Sequence, residues 1–146
     1  MSEGGPVLPD LDVWVRAFGR LDPDPRIVHG FRELVRERRV LTLGGIRQGL
    51  LARLDDERQA TRLGWILSGF PEVVLRPDDH LRAAELSRRL RRGDHRLAGS
   101  AALLWAVAER IGARIWSLDR RWSELARHGA PFTSRPSVTI ATGVRG

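Results

Sequence analysis

The sequence predicts an α/β fold with a short, mostly parallel central sheet flanked by helices on both faces. Three observations carry this. Short apolar or β-branched steps alternate with longer helical periods along the chain, the order expected of strand–helix–strand units. The 146 residues and 42% hydrophobic content are those of one ordinary domain able to bury a core. Finally, Asp10 and Asp119 each follow a predicted strand, and ligands in such folds bind beyond the carboxyl ends of the strands.

The elements follow in order. Val7-Leu8 is a first strand weakened by Pro9, which cannot donate to a ladder. A helix over 11–18 carries Val13, Trp14 and Phe18 and stops at Gly19 and the Asp22-Pro23-Asp24-Pro25 turn. The next helix, 26–38, places Ile27, Phe31, Leu34 and Val35 on one face. A strand over 39–43 is broken by Gly44-Gly45, and Ile46, Leu50, Leu51 and Leu54 mark a helix up to Asp55. A further helix runs to Leu67, a strand spans 72–75, and Pro77-Asp78-Asp79 opens a long helix to Arg92 with Leu81, Ala84, Leu86 and Leu90 as its apolar face. An Ala- and Leu-rich helix over 100–111 ends at Gly112, a strand over 113–117 leads to Asp119, and a last helix reaches Arg127. We expect one domain over 1–132 and a tail over 133–146, with 137–142 as an edge strand.

Composition narrows the function classes. The absence of Cys removes disulfides, thiolate nucleophiles and cysteine zinc sites, and fits a reducing cytoplasm. No apolar run approaches the roughly 20 residues that span a bilayer, and the opening residues lack the basic and apolar regions of an export signal. We therefore expect a cytoplasmic protein without membrane contact. All 25 basic residues are Arg, against 18 acidic ones, for a net charge of +7. Arg grips phosphate and carboxylate in bidentate fashion, so RNA or an acidic partner is a natural ligand. A GC-rich genome would also produce this substitution of Arg for Lys.

Four stretches, in the right order, resemble the PIN domain, the fold of VapC-type toxin ribonucleases. They are Val7-Leu8-Pro9-Asp10-Leu11-Asp12-Val13-Trp14; Ile46-Arg47-Gln48-Gly49-Leu50-Leu51; Arg91-Arg92-Gly93 with the helix segment Ala102-Leu103-Leu104-Trp105-Ala106-Val107-Ala108; and the run from Ala113 through Leu118-Asp119-Arg120-Arg121-Trp122. The resemblance spans Val7 to about Phe132. It implies a metal-dependent endoribonuclease, the toxin of a toxin–antitoxin pair, whose clustered carboxylates hold Mg²⁺ or Mn²⁺ and activate a water against an RNA phosphodiester. It also implies an antitoxin-like protein partner and a homodimer.

Carried over by position, the catalytic and metal-binding residues are Asp10 and Asp119. The family's Glu position holds Gly49, its third acidic position holds Ala102, and Arg121 stands where many members have another acid. With half of the carboxylates gone, metal binding should be weak and catalysis weak or lost. Asp12 is read first as the N-cap of the following helix and second as a replacement metal ligand. The alternative to a residual ribonuclease is a non-catalytic PIN-like module that binds RNA or protein.

Other polar groups carry less. His29, His80, His95 and His128 show no metal-ligand spacing and are read as solvated, Asp55-Asp56-Glu57 as a helix cap, and Ser68 and Ser100 as lacking a nucleophile context. Gly44-Gly45 is too short for a phosphate loop. The run Arg88, Arg89, Arg91, Arg92 and Arg96, together with Arg121, offers contacts to RNA phosphates. Of Trp14, Trp65, Trp105, Trp116 and Trp122, Trp105 and Trp116 lie in apolar segments and are read as core, and only Trp14 and Trp122, near the proposed site, are candidates for stacking on bases.

Overall fold

The protein is seen in a computed structural model that describes residues 4–18, 24–134 and 136. Its strands are β1 (Val7–Pro9), β2 (Thr42–Leu43), β3 (Glu72–Val73), β4 (Arg114–Trp116) and β5 (Phe132–Thr133). Its helices are α1 (Leu11–Phe18), α2 (Pro25–Arg36), α3 (Gly44–Leu51), α4 (Glu57–Leu67), α5 (Pro77–Arg92), α6 (Gly99–Ile111) and α7 (Arg121–Arg127). Every ladder is parallel: β1 with β4, β4 with β5, and β2 with β3. The two ladders meet at a parallel bridge between Val7 and Val40, where Val7 N–H donates to Arg39 O at 2.8 Å and Leu41 N–H to Val7 O at 2.9 Å. Strand order across the molecule is therefore β3-β2-β1-β4-β5. The chain first builds outward from β1 through β2 to β3, then returns to the other side of β1 with β4. Because parallel crossovers are right-handed as a rule, building in both directions from β1 places the flanking helices on both faces of the sheet.

Pro9 sits in this central strand, fully buried. In a parallel strand successive N–H groups point to alternate neighbours. Val7 donates toward β2 and Asp10 toward β4, through a 2.8 Å bond to Trp116 O, so the donor that Pro9 lacks would have pointed at β2. β1 forms all the same, pairing with β4 over Val7–Pro9 and bridging Val40 on its other side.

The core gathers around α1. Trp14, fully buried, packs edge-on against Phe31 and Phe70 and stacks on Phe18, with ring centroids 4.9, 5.0 and 5.6 Å away. Its indole N–H donates to Pro9 O at 3.0 Å, so the largest side chain on α1 also pins that helix to β1.

Several expected boundaries move for identifiable reasons. The second helix ends at Arg36 because Arg38 takes a left-handed φ of 56°, which no helix continues. The strand ends at Leu43, before Gly44-Gly45 as expected, and the glycine pair itself forms the first residues of α3. The buried face of α5 is Asp79, Ala83, Leu86 and Leu90, not the face through Leu81 and Ala84, and Leu81 is 68% exposed. Asp79 sets this rotation. Its carboxylate accepts two bonds from Arg110 on α6, at 2.7 and 2.9 Å, plus the Arg76 N–H at 2.8 Å. The acid is buried because the guanidinium is waiting for it. Arg82 repeats the tie with Glu109 at 2.8 Å, so α5 and α6 pack as an antiparallel pair. β5 is a short strand in a stretch that reads only as turn-rich, while the edge strand expected over 137–142 lies outside the described residues. No helix among the described residues is long and apolar enough to cross a membrane.

The Asp79–Arg110 pair has a pH signature. Hydrogen bonds from Arg110 hold the Asp79 carboxyl below the ordinary aspartate value of 3.8. Its contribution to stability is complete above that value and is lost as pH falls below it. Asp79→Asn should therefore lower the melting temperature at neutral pH and should flatten the acid limb of the stability profile below 3.8; a melt series from neutral to strongly acidic buffer reads both.

Candidate active site at the carboxyl edge of the sheet

The reversal of strand order between β1 and β4 opens a crevice at their carboxyl ends, the usual ligand position in doubly wound sheets. Asp10, Asp12, Ser117 and Asp119 all fall there, because Pro9 pairs with Trp116 and the chain leaves both strands immediately afterwards. Asp10 and Asp119 thus follow neighbouring strands at one edge of the sheet.

Asp10 is the N-cap of α1. Its carbonyl accepts Val13 N–H at 3.0 Å and Trp14 N–H at 3.3 Å, and its Oδ1 accepts Leu11 N–H at 2.8 Å. This corrects the reading of Asp12 as the cap. Asp12 lies in the first turn and reaches across to the loop after β4, where its Oδ2 accepts both the Ser117 hydroxyl and the Leu118 N–H at 3.0 Å. Ser117 Oγ in turn accepts Asp119 N–H at 3.1 Å. A chain of hydrogen bonds therefore ties the start of α1 to the end of β4. Asp12 Oδ1 is buried with no hydrogen-bond partner among the described residues. Burial first, and the neighbouring charge of Asp10 second, push the Asp12 carboxyl above 3.8. Ser117, 2% exposed, is a site residue that sequence reasoning passed over. The signal was available, since it stands two residues before Asp119 at the end of a predicted strand.

Asp119 is held by its own neighbour. Arg121 Nε lies 3.0 Å from Oδ2 and 3.2 Å from Oδ1, Nη2 lies 2.7 Å from Oδ2, and the Arg121 N–H reaches Oδ1 at 3.0 Å. These bonds keep the Asp119 carboxyl below 3.8. Arg121 is a carboxylate partner here, not an arginine held free for RNA.

The two substituted positions are equally definite. A Cβ on Gly49 would lie 3.2 Å from Leu11 Cδ2, so α3 approaches α1 closely beside the residue that follows Asp10. Ala102 is 1% exposed on the first half of α6. That helix runs antiparallel to β4, so its first turns lie at the same carboxyl edge. Neither residue carries a donor atom, and among the described residues no three His, Cys, Asp or Glu side chains converge where an ion could sit. A hard divalent ion wants several oxygen ligands. As placed, Asp119 is committed to Arg121, which leaves Asp10 and Oδ1 of Asp12 as the carboxylate oxygens nearest the strand ends.

The arginines at the end of α5 are joined by the loop over 93–98 to the first turn of α6. Arg88, Arg91 and Arg92 are exposed and make no ion pair among the described residues. Arg89 differs. It donates to His128 O at 3.1 Å and lies 5.8 Å above the buried Trp105 ring, which makes it a strut between α5, α6 and α7. His95 and His128, expected to be scattered and solvated, come together with ring centroids 4.6 Å apart. His29 and His80 are exposed as expected.

The tryptophans reverse the stacking expectation. Trp14 and Trp122 are 0% and 3% exposed, and Trp122 stacks on Phe132, so neither can meet a base. Trp105 and Trp116 are core residues as expected.

Asp12 yields a test with the opposite pH sense to Asp79. A carboxyl raised above 3.8 favours the fold while protonated, and that contribution is lost as pH rises from 3.8 through the folded value. Asp12→Asn should remove this descending limb while Asn Oδ1 keeps the bonds from Ser117 and Leu118. Asp12→Ala should strand both donors at a cost of about 1–3 kcal/mol. Urea unfolding of the three proteins across the acidic range measures this.

No protein-family model matches the chain, and no curated protein matches it in sequence.

Proposed function

We propose that the chain is a PIN-like module of the VapC ribonuclease kind whose acidic site has lost metal-dependent cleavage and which binds RNA along the arginines at the end of α5. The observation that supports this most is the capture of Asp119 by Arg121. Where the family pattern has carboxylates gathered round an ion, this chain ties one to a guanidinium and places Gly49 and Ala102 at two others. A cation supplied by the protein takes the place of the cation a nuclease would recruit. Arg88, Arg91 and Arg92 offer charge to a phosphate backbone.

A second reading, a residual ribonuclease with one Mg²⁺ at Asp10 and Asp12, draws on the unpartnered Asp12 Oδ1. Mg²⁺ can bind through one or two carboxylates when substrate phosphates complete its shell. The antitoxin-like partner and the homodimer belong to the same family expectation.

RNA binding and cleavage by the wild type and two variants separate these readings. The wild type should bind single-stranded RNA equally well in EDTA and in Mn²⁺ and should not cleave it. Replacing Arg88, Arg91 and Arg92 by Ser should weaken binding and reduce its dependence on the logarithm of salt by about 2, since each phosphate left without its arginine lowers the slope by about 0.7. The variant Gly49→Glu, Ala102→Asp, Arg121→Ala should be less stable in EDTA and regain stability with Mn²⁺. Cleavage by the wild type that requires Mn²⁺ and vanishes in Asp10→Ala would establish the ribonuclease reading instead.

A further inference from the structure

α4 presents an outer face that nothing in the fold uses. Trp65 is 82% exposed, whereas the other four tryptophans are at most 4% exposed. An indole left in water on an ordered helix stands out against that background. The helix end that carries it is fixed: Ser68 N–H bonds Gly64 O at 3.0 Å and Ser68 Oγ donates to Trp65 O at 2.6 Å. At the other end Asp56 caps the first turn by accepting from Arg58 and Gln59 N–H.

Spacing aligns cations with this ring. Arg58, Arg62 and Trp65 follow one another at intervals of four and three residues, which places them along one stripe of the helix. Thr61 lies beside them, and Glu57, Arg58, Thr61 and Arg62 border an open hollow of about 410 Å³. Arg58 and Arg62 are exposed and pair with no carboxylate among the described residues. Glu57, at the far end of the stripe, is its one acidic member.

We propose that the outer face of α4 is a binding platform for single-stranded nucleic acid, with a base stacked on Trp65 and the flanking phosphates held by Arg58 and Arg62. An aromatic platform beside cations is what sequence-tolerant single-strand binding requires, because every base has a π-face and every nucleotide a phosphate. Charge decides against a second copy of this chain, since a two-fold contact would set Arg58 and Arg62 against their own equivalents on a protein of net charge +7. The platform does not depend on the arginines at the end of α5 or on the state of the acidic crevice.

Trp65 supplies its own probe. Because the other four tryptophans are buried, acrylamide should quench Trp65 preferentially in the intact protein. Oligouridylate should alter the Trp65 emission and shield it from acrylamide, and shielding should persist when Arg88, Arg91 and Arg92 are Ser. Trp65→Ala, at a position too exposed to affect folding, should weaken binding roughly 5- to 150-fold, the loss expected for one stacked base. Arg58→Ser with Arg62→Ser should lower the salt dependence by about 1.4. Three results would overturn the proposal: an emission and acrylamide response untouched by oligouridylate, equal shielding by polyglutamate, or shielding that arises from raising the protein concentration alone. Equal shielding by polyglutamate would assign the face to an acidic protein, and shielding by concentration would assign it to self-association.

Discussion

The burial of β1 between β2 and β4 is the constraint on which the rest of the structure depends. Val7, Leu8 and Pro9 are all buried, and no backbone group of such a strand can turn to water. Its donors and acceptors must therefore be met from both sides: by residues 39–41 on one flank and by β4 on the other. Both flanks come from far along the chain, so β1 organises the molecule only after distant segments have reached it. Trp14 then locks α1 down by donating to Pro9 O, and the aromatic cluster from α1, α2 and Phe70 closes one face of the sheet.

The same constraint makes the crevice. A central strand flanked by an earlier-built pair and a later-built pair forces the strand order to reverse beside it, and helices leaving β1 and β4 depart to opposite faces. Whatever follows those strands is gathered at one edge. In this chain the gathered groups satisfy each other. Asp12 is used by Ser117 and Leu118, and Asp119 by Arg121. The two arrangements differ in permanence. Asp12 is half-buried and part of a cross-link between elements. Arg121 is 82% exposed, and an exposed ion pair is worth about 0–1 kcal/mol, so the clamp on Asp119 can open without disturbing the fold.

Arginine plays several distinct parts. Arg110 and Arg82 bind α5 to α6, and Arg89 braces α5 against α6 and α7 while lying over Trp105. Arg88, Arg91, Arg92, Arg58 and Arg62 face solvent. A guanidinium with five donors can serve either as a buried connector or as a surface charge, and its burial and partners decide which.

Local sequence determined which segments are helices and strands, because periodicity and cap chemistry act within a few residues. Asp56 caps α4, Gly112 ends α6 with a left-handed φ of 68°, and Pro77 opens α5, each where residue type demands it. It also placed Asp10 and Asp119 at strand ends. It could not decide which side chains are buried. Leu81 matches an apolar pattern yet faces water, while Asp79 breaks the pattern yet is buried, since the Arg110 that neutralises it comes from another helix. Nor could it show that Asp12 bridges to Ser117, a partner 105 residues away, or that Trp14 is enclosed by Phe31 and Phe70. Hydrogen bonding and packing between distant segments have no local signature, so tertiary structure alone assigned each carboxylate its partner and each aromatic ring its exposure.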